Sequence, residues 1–479
     1  MKRFHKATFW VLTIGVLTTP ACKMGPDYER PETPEPVAYQ VDQPQGESIA
    51  NTPWWELYQD PVLQELIRRG LESNRSLREA MARITESRAS LGMVEADLYP
   101  GVRGIGAVFS QRTPQIDTVS TFDNFKLAAA ASYEVDLWGR VRRSNEAAQQ
   151  GLMATEEAYR TVTISLVAEI AAAYMVLRDL DARLDIAEQT LATRHQSLEI
   201  MTARAEGGLV SVLDIRRAEM ELADTEAAIQ ALLRGRAQVE HGISLLVGET
   251  PSSIARGMTL AEQSLPPAVP AGLPSELLQR RPDILMAERA LHAQTARIGV
   301  AVAMRFPSLS LTGNLGVKST TLGEATSNNL FLNLGGSLAG SIIDWGRNEA
   351  RVEVEKARTE QLLNQYEQTI LNSLREVEDA LVAVETYRTE HEARQRQLEA
   401  ARDAYGVVSD LYEGGLTSYS EVLDVQRGLF GAQLMASEAL QLHHTSVIQL
   451  YRALGGGWNV DENEGSSDSA VGDPAAPQS

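Results

Sequence analysis

The sequence predicts a mostly α-helical protein with a transmembrane β part, built from one unit that occurs twice. Two very long stretches, between Pro114 and Pro251 and between Pro307 and Pro474, contain no proline and are rich in good helix formers. Short segments with alternating apolar and polar residues, which are typical of strands, precede the long helices. A set of sequence landmarks recurs at a constant spacing of 207 residues, which indicates a duplication.

The composition excludes several classes of protein. The chain has 479 residues with a formal net charge of −20, and 43% of its residues are hydrophobic. This apolar fraction excludes wholesale disorder, and the acidity argues against binding to nucleic acid. A single cysteine excludes a disulfide framework and a multi-cysteine metal site, and the seven histidines are too scattered for a metal site. Because the usual catalytic motifs are absent, we expect no enzyme.

The start of the chain predicts export. Residues 1–21 have a basic beginning and an apolar run that is too short to span a bilayer, as in a signal peptide. Cys22 follows directly, at the position where a bacterial lipoprotein is cut and lipidated. Thr19 stands where that signal usually has leucine. We therefore expect a covalent lipid on Cys22, at the start of an extended segment 22–60, with an ordinary signal peptide as the alternative.

The duplication divides the mature chain. Its landmarks are Tyr99-Pro100 and Phe306-Pro307, Trp138-Gly139-Arg140 and Trp345-Gly346-Arg347, Gly207-Gly208-Leu209 and Gly414-Gly415-Leu416, and Val247-Gly248 and Leu454-Gly455. They predict a first repeat over 61–248 and a second over 273–457, joined by a linker at 249–272. The segment 458–479 is acidic and nearly free of apolar residues, so we expect it to be disordered.

Each repeat is expected to begin with a helix and to end with two long ones. The long helices are predicted at 139–206 and 211–247, and at 347–413 and 418–454. A helix of 67 residues would be roughly 100 Å long, because the rise is 1.5 Å per residue. No globular domain needs that length, whereas a coiled coil or a tube does.

Between these helices, each repeat contains a predicted strand pair, at about 101–136 and about 307–343. In the segment 309–317 the odd positions are apolar or glycine and the even positions are polar or glycine. Strands of about 9–12 residues with one apolar face are typical of a transmembrane barrel with a polar interior, although a soluble sandwich is the alternative. Four strands alone would leave unpaired edges in lipid. Either several chains therefore pool their strands, or the strands cover a soluble core.

Three segments resemble a known family. They are CKMGPDYERP at 22–31, LPSELLQRRPDI at 273–284 and GGLTSYSEVLDVQR at 414–427. Together with the paired landmarks, they resemble the TolC-type outer-membrane efflux channels, in the lipoprotein branch that includes OprM and NodT. The resemblance covers about 22–457.

The resemblance implies a fold and a function. In this family a homotrimer pools four strands per chain into a twelve-stranded barrel in the outer membrane, and the long helices continue it as a helical barrel through the periplasm. The implied function is the exit duct of a tripartite pump for drugs or other small molecules. Its implied partners are a periplasmic adaptor and an inner-membrane transporter of the RND type.

Acidic residues follow both Gly-Gly-Leu turns. Ser211 precedes Asp214 and Ser418 precedes Glu421 at the spacing of a capping box, which would make the acids helix-starting residues. The resemblance instead places the equivalent acids at the periplasmic constriction. Both interpretations remain open for Asp214 and Glu421.

Asp424 lies too far along its helix for capping, and Arg217 stands at the equivalent position of the first repeat. The two could pair between neighbouring hairpins and hold the tip closed. The resemblance favours a ring of three Asp424 side chains at the trimer axis, which could bind a cation. It also implicates Tyr412 in latching, although Thr417 stands where TolC has a latch arginine. An ordinary solvated acid is the third interpretation of Asp424.

The turns themselves are candidate contact sites. Gly208, Leu209, Gly415 and Leu416 are small or apolar residues at exposed tips, where an adaptor hairpin could pack closely. They could equally be turn residues and nothing more. The competing function for the whole chain is a lipid-anchored coiled-coil scaffold or adaptor in the periplasm, which would have no use for lipid-facing strands.

Overall fold

The computed structural model describes residues 22–32, 39, 54–114, 119–207, 210–264, 274–320 and 329–456. The helices are α1 (Pro61–Ser73), α2 (Arg75–Ala96), α3 (Arg140–Glu206), α4 (Val212–Leu246), α5 (Pro274–Arg280), α6 (Pro282–Ala303), α7 (Arg347–Glu413) and α8 (Tyr419–Ala453), and the strands are β1 (Gly101–Pro114), β2 (Val119–Val135), β3 (Ser308–Ser319) and β4 (Leu330–Ala339). Short 3-10 helices lie at Trp54–Leu57 and Leu260–Glu262. The predicted fold class, mostly helical with four strands, is confirmed. The predicted signal 1–21 and the tail 458–479 lie outside the described residues.

The duplication is visible in the lengths of the elements. The helices α3 and α7 have 67 residues each, and α4 and α8 have 35 each. Both pairs begin 207 residues apart, at Arg140 and Arg347 and at Val212 and Tyr419. Equal spacing of helix ends follows from the recurring glycines and serines that end one helix and start the next.

The chain forms two compact units that cut across the repeats. The sheet unit comprises Met1–Thr33, Ala82–Glu156 and Met286–Gln368, and the helical unit comprises Pro34–Met81, Glu157–Leu285 and Thr369–Ser479. Each unit therefore takes segments from both repeats, and the long helices α3 and α7 contribute to both units.

In the sheet unit, the four antiparallel strands lie in the order β1-β2-β3-β4, so β2 and β3 join the two repeats. Apolar residues stand opposite apolar ones across the strands, as in Leu127 with Val317, Leu315 with Leu332 and Leu309 with Leu338. Polar residues likewise stand opposite each other, as in Ser132 with Thr312 and Asn314 with Asn333. The alternation therefore gives the sheet one apolar and one polar face. The leucines of β4 are largely exposed in the single chain.

The core of the helical unit gathers residues from both repeats. Trp54 stacks on Tyr451 of α8 with 5.3 Å between ring centroids, and Tyr58 lies beside them. Ile170 and Met175 of α3 are fully buried in the same cluster. The helix α3 contains a stretch that is long and apolar enough to cross a membrane by length and composition. Because 44% of its most apolar window is buried, packing in the core accounts for part of this apolar character.

Asp60 fixes the start of α1 within this core. It is the N-cap residue, and its buried carboxylate accepts hydrogen bonds from the backbone N–H groups of Val62 and Leu63. The same carboxylate also accepts hydrogen bonds from the Tyr174 hydroxyl at 2.9 Å and from the backbone N–H of Met258 at 2.9 Å. One side chain thus links α1, α3 and the segment that follows α4.

Candidate functional site

The tips of the two helical hairpins pack against each other within the helical unit. Met201 of α3 and Ala218 of α4 belong to the first hairpin. Val408 of α7 and Tyr419 and Leu423 of α8 belong to the second, and all five side chains are buried in one cluster. We call this cluster the tip core, and it joins the ends of all four long helices.

The turn between α7 and α8 ends α7 at a glycine. Gly415 has a φ of 70°, and its N–H donates a hydrogen bond to the Tyr412 carbonyl at 3.0 Å, while the N–H of Leu416 donates to the Leu411 carbonyl at 2.8 Å. This Schellman geometry requires a left-handed residue, for which glycine is favoured. The Leu416 side chain is 78% exposed, so it is available for contacts outside the chain. Gly208 and Leu209 of the first turn lie outside the described residues.

The serines after the turns cap the following helices. The Ser211 hydroxyl accepts a hydrogen bond from the Leu213 N–H at 3.1 Å, and the Ser418 hydroxyl accepts one from the Glu421 N–H at 3.4 Å. The Glu421 carboxylate accepts a hydrogen bond from the Thr417 hydroxyl. In a full capping box the acid would instead accept from the backbone of the capping serine. The caps are therefore formed by the serines, and the carboxylate of Glu421 lies beside Thr417.

Asp424 is one end of a series of ion pairs that crosses the tip. Its carboxylate accepts a hydrogen bond from Arg427 at 2.7 Å, and the Arg427 Nε lies 2.9 Å from the Glu221 carboxylate of α4. The other oxygen of Glu221 lies 3.0 Å from the guanidinium of Arg194 on α3. We call Arg194, Glu221, Arg427 and Asp424 the tip charge chain. It connects the second hairpin to both helices of the first.

The two ends of the tip charge chain differ in burial. The Asp424 side chain is 64% exposed, whereas that of Arg194 is 2% exposed. Burial lowers the pKa of Arg194, although its carboxylate neighbours favour the charged form. The Arg194 guanidinium also donates to the Glu221 carbonyl and to the Thr225 hydroxyl. A buried charge without a partner is costly, so the buried Arg194 favours conformations in which Glu221 stays paired with it.

Arg217 does not meet Asp424 within the chain. Arg217 lies 4.0 Å from Asp214, three residues earlier on the same helix, as Arg427 lies near Asp424. Side chains three residues apart on a helix are neighbours, so each arginine has an acidic partner on its own helix. Asp214 is thus placed beside Arg217 at the start of α4.

Tyr412 lies where the two hairpins meet. Its hydroxyl is 3.3 Å from the Arg204 guanidinium of α3, which also lies over the Tyr412 ring at 5.7 Å. The Tyr412 ring packs against the ring of Tyr419 with centroids 5.6 Å apart. Burial raises the pKa of Tyr419 to about 12, so this hydroxyl is neutral at physiological pH. Tyr412 therefore bridges α7 to α3 and α8.

Sequence reasoning missed three of the four members of the tip charge chain. Arg427 stands in the segment 414–427, yet the charge at its repeat equivalent is not preserved, because Met220 stands there. Arg194 and Glu221 have no charged equivalents either, since Ala401 and Gly428 occupy those positions. A comparison of the repeats for charges that differ between them would have been the useful signal.

Cys22 begins a strap, residues 22–32, that lies along the sheet unit. The Met24 N–H donates to the Trp138 carbonyl at 3.2 Å, just after β2. Arg143 of α3 is 1% exposed and donates to the Met24 carbonyl at 3.0 Å and to the Asp27 carboxylate at 2.8 Å. The strap therefore holds Cys22, which is exposed, beside the junction of the sheet and α3.

Glu146 joins the strap to two helices. Its carboxylate lies 2.8 Å from the Lys23 ammonium, 2.9 Å from the Arg143 guanidinium and 3.3 Å from the His292 ring. Burial alone would raise the pKa of Glu146, but the hydrogen bonds from these three groups outweigh it and lower the pKa. The stability that the charged Glu146 gives to the docked strap is therefore fully present above the unfolded pKa of about 4.3. It is lost as the pH falls through the lower folded pKa.

We expect Glu146→Gln to loosen the strap at neutral pH, as protonation would do in acid. Losing about 1.4 kcal/mol of the free energy that docks the strap would make trypsin cut after Lys23 about tenfold faster. Limited proteolysis followed by mass spectrometry measures this rate. The matched control is Glu156→Gln, because Glu156 pairs only loosely with Arg88, at 3.5 Å. Equal cleavage rates for the two variants would contradict the assignment.

The described residues at the tips of one chain form no ready-made metal site. Across the part of the chain that the structure describes, no group of three or more histidine, cysteine, aspartate or glutamate side chains could hold a metal ion. A cation at Asp424 would therefore need carboxylates from more than one chain.

Comparison with known proteins gives consistent matches. The family model described as "Outer membrane efflux protein" matches residues 66–249 and again residues 273–456, two ranges that begin 207 residues apart. The cation efflux system protein CusC of Escherichia coli O6:H1 is 33% identical over 448 residues, covering 92% of this chain and 97% of that protein. The outer membrane protein OprJ of Pseudomonas aeruginosa is 34% identical over 462 residues, covering 92% of this chain and 94% of OprJ.

A solved structure agrees with these sequence matches. The open state of the MtrE outer membrane channel of Neisseria gonorrhoeae superposes with a TM-score of 0.83 at 30% identity. The match covers 91% of this chain and 99% of MtrE. The same arrangement of strands and long helices thus extends over nearly the whole of both chains.

Proposed function

The chain belongs to the outer membrane efflux protein family, and we propose that it assembles as a homotrimer that pools the four strands of each chain into one barrel. It is an outer-membrane channel, the exit duct of a tripartite efflux pump, with helices that extend into the periplasm. The observation that carries the proposed trimer is the sheet: among the described residues, β1 and β4 have a strand neighbour on one side only, and the apolar face of the sheet is exposed. Free edges are not tolerated in lipid, so copies of the chain must pair them.

The duplication predicts the register of that pairing. Within the chain, β2 of the first repeat pairs with β3 of the second, with Val135 opposite Leu309. The residues 207 positions away are Ile342, just after β4, and Val102 of β1. Ile342 of one chain should therefore stand opposite the partner subunit's Val102. Both side chains are strongly exposed in the single chain.

Cysteines at Ile342 and Val102 should link the chains into covalent trimers. Opposite residues on antiparallel strands have Cα atoms about 4.5–5.5 Å apart, within the range of a disulfide. Each chain joins the next head to tail, so three links close a ring. Non-reducing SDS gels of oxidised Ile342→Cys/Val102→Cys protein should show trimers.

The pair Ile342→Cys/Arg103→Cys is the matched control, because a shift of one residue points the second side chain to the other face. The single variants Ile342→Cys and Val102→Cys test whether the native Cys22 contributes to the cross-linking, and neither should form a covalent trimer. Covalent dimers only, or no cross-linking at the predicted pair, would contradict the proposed trimer.

The tip core and the tip charge chain are the proposed gate of the duct. Asp424 is exposed at the tip, so three copies in a trimer can meet at the axis and repel each other unless a cation lies between them. We infer that Arg427 and Tyr412 hold each second hairpin against the first in the closed state. Asp214, Arg217 and Glu421 lie at the same tips and belong to the proposed gate region.

The adaptor is proposed to dock on the turns. Leu416 is exposed beside Gly415, and Val212 and Leu213 are exposed at the start of α4. Small and apolar side chains let another helical hairpin approach closely. Photo-cross-linking from position 416 in cells, followed by mass spectrometry, tests whether a periplasmic adaptor binds there. An inner-membrane transporter of the RND type completes the proposed pump.

A covalent lipid on Cys22 is part of the proposal. The strap places this exposed cysteine beside the end of β2, where the membrane-spanning strands meet the helices. A lipid on Cys22 would therefore reach the same bilayer as the barrel. Mass spectrometry of the N-terminal peptide tests the modification.

The competing functions account for fewer observations. A periplasmic scaffold would not need a row of outward-facing leucines on β4. The relatives are channel proteins, and we propose that this chain likewise has no catalytic activity. Because a passive duct does not select its cargo, the choice of drug or other small molecule is proposed to belong to the transporter.

A further inference from the structure

Trp138 makes a specific contact between the two repeats. Its indole Nε1–H donates a hydrogen bond to the Pro307 carbonyl at 2.8 Å. The indole also stacks on the Phe306 ring, with 4.7 Å between centroids and 23° between planes. Trp138, which follows β2, therefore binds the Phe306-Pro307 pair that precedes β3. This contact joins the two repeats at one end of the sheet.

The duplication supplies a second set of the same groups, and the single chain leaves them apart. Trp345 is the equivalent of Trp138, and Tyr99-Pro100 is the equivalent of Phe306-Pro307. Trp345 is 94% exposed and Tyr99 is 71% exposed. A large indole exposed beside an edge strand favours a further contact, since burying such a ring contributes strongly to an interface.

We propose that Trp345 of each protomer stacks on the partner subunit's Tyr99 and donates its Nε1–H to the carbonyl of the partner subunit's Pro100. The occupant of this surface is thus a second copy of the chain. The inference rests on the proposed homotrimer, but it adds an aromatic lock that strand pairing alone does not require.

The register of the strands carries the argument. Within the chain, Trp138 lies three residues after Val135, and Pro307 lies two residues before Leu309, with Val135 opposite Leu309. Between chains, Trp345 lies three residues after Ile342, and Pro100 lies two residues before Val102. If Ile342 stands opposite the partner subunit's Val102, the tryptophan and the proline fall at the same offsets as in the contact within the chain.

The backbone around Trp345 differs from that around Trp138. Trp345 has a φ of 55°, an uncommon conformation for a bulky residue, whereas Trp138 does not share it. Gly139, beside Trp138, is covered by Lys23 of the strap, whereas a Cβ at Gly346 would meet nothing within 4 Å. The surface beside Gly346 is therefore open to a neighbouring chain, whereas the strap covers the equivalent surface beside Gly139.

The test is the rate at which the purified detergent-solubilised trimer dissociates, followed by native gel or mass photometry after dilution. Trp345→Ala should dissociate at least about tenfold faster than the parent protein, because three stacking contacts and three hydrogen bonds are lost per trimer. Trp345→Phe keeps a ring but loses the donor, so its rate should fall between the two. The double variant Trp345→Ala/Tyr99→Ala should dissociate no faster than Trp345→Ala, because both changes remove the same contact.

The cysteine pair at Ile342 and Val102 separates the two possible failures. Two results together would show that the contact of Trp345 is wrong although the trimer is correct. The Trp345 variants would form covalent trimers when they also carry the cysteine pair, and without that pair they would dissociate at the rate of the parent trimer. Additive effects of Trp345→Ala and Tyr99→Ala would also overturn the lock. If the parent protein itself gives no covalent trimer, the proposed trimer fails first.

Discussion

Replacing Arg427 with alanine should raise the open probability of the channel in planar bilayers by about tenfold or more. Arg427 is the only member of the tip charge chain that contacts carboxylates of both hairpins, Asp424 at 2.7 Å and Glu221 at 2.9 Å. Without it, the second hairpin loses its ion pair with Glu221 at the tip, and Asp424 loses its neutralising partner. A change of 1.4 kcal/mol in the balance between closed and open states is a tenfold change in that equilibrium.

The matched control for this prediction is Arg216→Ala. Arg216 is an exposed arginine at the same tip, and it pairs at 2.7 Å with Glu219 on its own helix, so it joins no two hairpins. An exposed pair of this kind contributes about 0.3–0.5 kcal/mol. Single-channel recordings should therefore show a clear difference between the two alanine variants. Equal open probabilities would contradict the gate.

Asp424→Ala distinguishes the two roles proposed for that residue. If three Asp424 side chains meet at the axis with a cation between them, millimolar divalent cation should lower the conductance of the parent channel and leave Asp424→Ala unaffected. If Asp424 acts through Arg427, Asp424→Ala should raise the conductance with or without the cation. The same recordings of Glu421→Ala report whether the carboxylate beside Thr417 contributes to the gate.

Local patterns in the sequence were enough to predict the elements of the fold. The long helices end where glycine and serine recur, and the facing of side chains in β3 follows directly from alternation between Leu309 and Val317. Such features depend on a few neighbouring residues, so a single sequence contains them. The duplication extended the prediction, because what held for one repeat could be transferred to the other.

The assembly of the site depended on contacts that local patterns do not record. Arg194, Glu221 and Arg427 meet because three different helices lie side by side, and nothing in their spacing marks them as partners. One of the three interpretations of Asp424 paired it with Arg217 between neighbouring hairpins, whereas in the chain each of these side chains has an ionic partner on its own helix. The duplication conserves helix ends and strand facing, but the charges of the tips differ between its two copies.

The buried hydrogen bonds of Asp60 could not be predicted from the sequence either, because their partners lie far away along the chain. Asp60 caps α1, and its carboxylate also accepts hydrogen bonds from groups that follow α4. These groups are the Met258 N–H and the Gln263 side-chain amide, which donates at 2.7 Å. The Tyr174 hydroxyl donates as well, and burial raises its pKa, so it stays protonated.

Asp60→Ala should lower the free energy of unfolding by about 3–5 kcal/mol, because it leaves several buried donors without an acceptor. Urea unfolding of the detergent-solubilised protein, followed by circular dichroism, measures the change. Asp60→Asn should cost less, since one carbonyl oxygen remains as an acceptor while the new amide faces donors. The control is Asp379→Ala, whose carboxylate forms an exposed ion pair with Arg375 and should cost less than about 1 kcal/mol. If the two alanine variants unfold at the same urea concentration, Asp60 does not hold α1, α3 and the segment after α4 together. A much lower free energy of unfolding for Asp60→Ala than for Asp379→Ala would show that this carboxylate, and not the aromatic core alone, stabilises the helical unit.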